Sequence, residues 1–119
     1  MNIFYLDTNP AIAAEYHCDK HVVKMILESS QMLSTAHRIL SGDEYCDDRG
    51  LYKKSHQNHP STKWAREGYT QYRWLFNLYE SLLSEYTKRY KKIHACGRLR
   101  TELELCPTHI DTKPFEQPP

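Results

Sequence analysis

Nowhere in this 119-residue chain is there a run approaching the roughly 20 consecutive apolar residues of a membrane span. No membrane partner is therefore expected. The opening MNIFYLDTNP also lacks the basic region and long apolar stretch of a secretory signal, so a cytosolic, cytoplasmic protein is expected. Paired cysteines are missing: Cys18, Cys46, Cys96 and Cys106 form no CxxC pair, which favours reduced thiols over a disulfide framework. A dominant charge is missing too: 16 Lys/Arg stand against 15 Asp/Glu, for a net +1. Overall charge thus argues against a strongly electrostatic nucleic-acid binder. No internal repeat is visible.

Apolar residues make up 39% of the chain, charged residues 26%, and tyrosine occurs nine times. This is the composition of a globular chain, and its length suits one hydrophobic core. The charge is unevenly spread. Residues 60–100 carry nine Lys/Arg and three Glu, net +6, leaving net −5 elsewhere. A basic half of this kind can still hold phosphates.

The pattern predicts an all-α fold. MNIFYL is short and apolar, either a brief strand or an extended segment on the core. Asp7, Thr8 and Asn9 before Pro10 are the chemistry of a helix start, and a helix is expected from about 10 to 40, stopping at Gly42. Residues 41–58 have no sustained period and read as a loop. A second start at Asn58, His59 and Pro60 opens a helix to about 94, with an apolar seam through Trp64, Tyr72, Leu75, Tyr79, Leu82, Tyr86, Tyr90 and Ile93. Gly68 on that seam costs roughly 1 kcal/mol relative to alanine and suggests a kink or, preferably, close approach to the first helix. RLRTELEL can form a short C-terminal helix. The expected organisation is one helical domain over 1–106 and an extended, proline-rich tail over 107–119, an end compatible with a longer natural chain.

At 100° per residue, His17, His21, Lys24, Glu28, Gln31 and Thr35 fall within about 40° of one line. Apolar residues occupy most of the remaining circumference. The stripe is then either the solvated side of an amphipathic helix or the lining of a cleft. On the second helix His59, Lys63, Arg66, Thr70, Arg73 and Asn77 share a face, either an ordinary exposed surface or a phosphate site. If the two stripes face one another, His17, His21, Lys24 and Glu28 meet Arg66 and Arg73 across a groove suited to a phosphodiester or nucleotide. In TKRYKKIHACGRLR, Lys88, Arg89, Lys91, Lys92, Arg98 and Arg100 with Tyr90 suit a nucleic-acid backbone, or simply a helix C-terminus. His17 and His21 could both reach one zinc, but HxxxH without a third ligand is weak, and no metal or other cofactor is expected. His37, on the apolar side, reads as a core histidine.

Asp19, His21 and Glu28, spaced D-x-H-x6-E, resemble the first long helix of the small helical pyrimidine-dimer DNA glycosylases, the phage endonuclease V type. NHPSTKWAREGYTQYRW and the residues up to His94 resemble the second. LDTNP, HCDKHVVKMILESSQMLSTAH and NHPSTKW are also similar to uncharacterised small phage proteins, a likeness that implies the cytoplasm of a host cell. The glycosylase resemblance implies DNA as partner, base extrusion, attack on the sugar by an amine to give an imine, and a carboxylate assisting ring opening and elimination. Glu28 matches that carboxylate, with His21 beside it and Arg66 and Arg73 matching cations that hold the backbone. The family's phage nucleophile is a threonine amine; Asn2 stands there instead, leaving the amine of Met1, Lys24 or Lys20. The candidate catalytic residues are therefore Glu28, His21 and Lys24. The candidate phosphate contacts are His17, His59, Lys63, Arg66, Arg73, Lys88, Arg89 and Lys92. Two rival readings are a module that captures a nucleotide without turning it over and a helical pair that merely binds another protein.

Overall fold

A computed structural model describes residues 2–119, and among these every regular element is helical. The expected first helix is two: α1, Pro10–Tyr16, and α2, Asp19–Ser41. The start is as anticipated, with Asn9 Oδ1 accepting from Ala11 N at 2.9 Å and Pro10 in the first turn. The helix does not continue to residue 40 unbroken, because His17 and Cys18 are extended. The break exposes main-chain carbonyls that need new donors. Arg89 supplies them from α5, Tyr69–Tyr90, donating to Glu15 O at 3.1 Å and to His17 O at 2.8 Å.

The segment after α2 is more ordered than its lack of period suggests. Gly42, at φ +90°, turns the chain into α3, Asp43–Asp48. The buried Arg38 guanidinium organises this corner, bonding Asp43 O, Asp43 Oδ1, Asp47 Oδ1, Leu51 O and Tyr52 O. Burial opposes its charge, but the Asp47 and Asp43 bonds outweigh that and raise its pKa.

The second long helix is also divided. α4 is Pro60–Arg66, capped by His59 Nδ1, which accepts from Ser61 N at 3.1 Å. Gly68 is extended and caps α5. The close approach expected at Gly68 exists, but to the C-terminal segment rather than to the first helix. A Cβ there would lie 3.0 Å from Lys113 Cγ. Tyr69 N donates to Asp111 O at 2.7 Å. α5 ends at Tyr90 rather than 94 because Lys91 turns left-handed, and Ile93, the last member of the predicted seam, is exposed.

A 3₁₀ turn, Ala95–Leu99, leads into α6, Arg100–Glu104. α2 packs mainly on α5, α1 on α5 and α4 on α2. Between them Met25, Ile26, Met32 and Leu33 meet Tyr72, Leu75, Phe76 and Tyr79, all buried. The tyrosine hydroxyls in this core are satisfied: Tyr72 donates to Leu103 O and Tyr79 to Cys96 O, each at 2.6 Å. The extended tail lies along α4 and α5, where Trp64 Nε1 donates to Glu116 O and Phe115 packs edge-on against Trp64. No helix among the described residues is long and apolar enough to cross a membrane.

Candidate active site

On α2 the 3.6-residue repeat brings His21, Lys24, Glu28 and Gln31 to one face. Lys24 Nζ lies 3.6 Å from a Glu28 carboxylate oxygen, an i,i+4 pair in which the lysine is largely exposed and the glutamate mostly covered. His21 is stacked on Phe4, ring centroids 4.3 Å apart, so the N-terminal segment runs beside this face. Ile3, next to Phe4, is buried and anchors that segment.

The far side is formed by the loop before α4. Thr35, last member of the stripe, accepts from Ser55 N at 3.1 Å and donates to Ser55 O at 3.4 Å. The next residue, His56, closes a cleft of about 280 Å³ lined with Lys24, Leu27, Glu28 and Gln31. The polar stripe therefore lines a shallow cleft, but its opposite wall is this loop. Neither Arg66 nor Arg73 lines it.

His17 leaves the stripe because it occupies the break. It is buried, its Nδ1 donates to Ala13 O at 2.6 Å, and burial lowers its pKa against that bond, with His21 and Arg89 lowering it further. Arg73 donates to Glu104 O at 2.7 Å and lies over the Phe76 ring, so it is bound to the α6 side. Arg89 is committed to the α1–α2 break, with Asp19 and Glu85 each at 3.0 Å. Arg66 is half-buried, and burial lowers its pKa. His59 is the α4 cap described above. Lys63 borders a separate cavity of about 340 Å³ with Trp64, Glu67 and tail residue Glu116. Lys88 lies in a groove with Ser84 and Arg100, and Lys92 is exposed just past α5.

The cleft holds a carboxylate, an amine and an imidazole within one small volume, a set able to transfer protons and to meet a sugar or phosphate. Among the described residues, no group of three His, Cys, Asp or Glu side chains could hold a metal ion. The family model for pyrimidine dimer DNA glycosylase matches residues 1–97. The chain belongs to the pyrimidine dimer DNA glycosylase family. No curated protein and no solved structure gave a significant match.

Family membership supports a DNA glycosylase-like function and an interaction with DNA. The matched residues span α1 to α5 and contain every candidate residue named above. α6 and the tail that covers Trp64 lie beyond them. Within the matched region the cleft-lining residue that sequence reasoning missed is His56. Its signal was the polar cluster SHQNH just ahead of Pro60, which a loop assignment absorbed.

Proposed function

We propose that this member of the glycosylase family cleaves the glycosidic bond of damaged or modified bases in duplex DNA and then acts as an AP lyase, through an amine assisted by Glu28. The observation that carries the reading is a mostly covered carboxylate in a cleft of the family-matched region, with an amine 3.6 Å away. The attacking nitrogen forms a bond to C1′ as the base departs with the electron pair of the old bond. Glu28 takes a proton from that nitrogen and passes it to the ring oxygen, opening the sugar to an imine. Loss of a C2′ proton then expels the 3′ phosphate. His21, fixed on Phe4, shapes the approach to the carboxylate. Lys63, Lys88 and Lys92 hold DNA phosphates, each contact adding to the salt dependence of binding.

Two amines are candidates. Lys24 is in the ion pair with Glu28, and an ammonium in that pair must first lose its proton to attack. Met1, whose amine is the other, lies outside the described residues. Borohydride reduction on duplex DNA carrying an abasic site tests the reading and maps the amine. A covalent adduct is expected, and the modified peptide identifies the nucleophile. Glu28→Gln should lower trapping by about 100-fold or more while leaving DNA affinity nearly unchanged. Absence of any adduct from the wild-type protein, with tight binding of a free nucleotide, would establish the non-catalytic alternative instead.

A further inference from the structure

We infer that His56 is a second catalytic residue of this cleft, the acid that protonates the departing base. The inference rests on the glycosylase reading above. Of the five described residues that line the cleft, four come from α2 and one, His56, comes from the loop before α4. Its backbone is left-handed, φ +48°, a conformation that residues with a Cβ adopt less readily than glycine. The loop is held at both sides of this residue. Ser55 is bonded to Thr35 of α2, and His59 N, at the α4 cap, donates to His56 O at 3.0 Å.

The ring itself is oriented. Ser55 Oγ lies 2.9 Å from His56 Nδ1, which leaves Nε2 as the nitrogen available to a substrate. An imidazole is thus held opposite Glu28 on a backbone that glycine or asparagine would adopt more readily.

The reaction needs two proton carriers of opposite role. One moves a proton from the attacking nitrogen to the ring oxygen, and Glu28 does this. The other must give a proton to the base as the C1′–N bond breaks and its electron pair leaves with the base. Leu27 and Gln31 have no proton to give, and Lys24 is paired with Glu28. Protonated His56 gives the Nε2 proton to the base and becomes neutral, while the positive charge passes to the protonated imine. Atoms and charge balance without a further reactant.

The test compares two substrates with the full chain. A duplex containing a cyclobutane pyrimidine dimer requires a base to leave, whereas a duplex with a preformed abasic site does not. His56→Asn, which suits the left-handed backbone, should slow single-turnover glycosidic cleavage by about 100-fold and leave borohydride trapping on the abasic duplex within about twofold. His56→Gly, equally compatible with φ +48°, should behave in the same way and regain cleavage when imidazole is added. Equal losses on both substrates, no loss on the dimer, or no imidazole rescue would each overturn the assignment. Wild-type protein that traps on abasic DNA but cleaves no dimer would overturn His56 as the acid together with the glycosidic step, and leave the lyase step standing. Failure to trap on either duplex would overturn the glycosylase reading with it.

Discussion

The two halves of α2 carry similar numbers of polar side chains and use them in opposite ways. Toward its C-terminal end Arg38 is buried and makes five hydrogen bonds, two of them to the carbonyls of Leu51 and Tyr52. Nearer its start, Lys24 and Glu28 make a longer contact at the edge of an open cleft, facing an imidazole with one nitrogen unengaged by the described residues. A polar group whose bonds are saturated within the fold stabilises it and has little left for a ligand. A group held in position at the mouth of a cleft can meet a ligand there, which is what chemistry requires. The helix is thus a structural anchor at one end and a working surface at the other.

That division predicts a large stability effect at Arg38 and a small one at Glu28. Arg38→Ala removes the donors of Leu51 O and Tyr52 O and should destabilise the fold by about 3–5 kcal/mol in urea titration. Glu28→Gln should change stability by less than about 1 kcal/mol while lowering trapping by about 100-fold or more. Comparable losses of stability at both positions would erase the distinction between the two ends.

His37 sharpens the same contrast through pH. Tyr72 gives its hydrogen to Leu103 O, so His37 Nε2, 2.9 Å from the Tyr72 oxygen, must be the donor in that pair. Nδ1 is then buried without a hydrogen-bond partner among the described residues. Burial lowers the His37 pKa from 6.5 to about 4, outweighing a backbone hydrogen bond at Leu105 that raises it. Because the folded value is depressed, this contribution is fully present above pH 6.5 and is lost as pH falls through about 4. The difference corresponds to about 3 kcal/mol. Urea titrations at pH 7 and pH 4 should show that loss, and His37→Gln should flatten it.

How much of this was legible depends on the range of the interaction responsible. Asn9–Pro10 and His59–Pro60 mark real helix starts because capping is settled within three residues. The His21, Lys24, Glu28, Gln31 stripe survives because helical periodicity alone places it. The break at His17–Cys18 was not legible, and Gly68 signalled a kink without naming its partner, since Arg89 and the tail at Asp111, which stabilise the two sites, lie more than 40 residues away. α3 is too short to show a period, and its organiser is Arg38 on the preceding helix. His56 has no motif: its place follows from a left-handed backbone and from the bonds joining Ser55 to Thr35.

Two cations of one basic segment, Arg89 and Lys92, differ in the same way. Arg89 and Lys92 are three residues apart, yet Arg89 bonds Glu15 O, His17 O, Asp19 and Glu85 whereas Lys92 is an exposed side chain past the end of α5. Arg89→Ala should destabilise by about 2 kcal/mol, because it strips the α1–α2 break of its donors, and should leave the salt dependence of DNA binding nearly unchanged. Lys92→Ala should shift stability by less than about 0.5 kcal/mol but lower the slope of log affinity against log salt by about 1, the loss of a single phosphate contact. If Arg89→Ala instead reduces the slope without loss of stability, its bonds at the break are dispensable, and the basic segment acts as one continuous DNA surface.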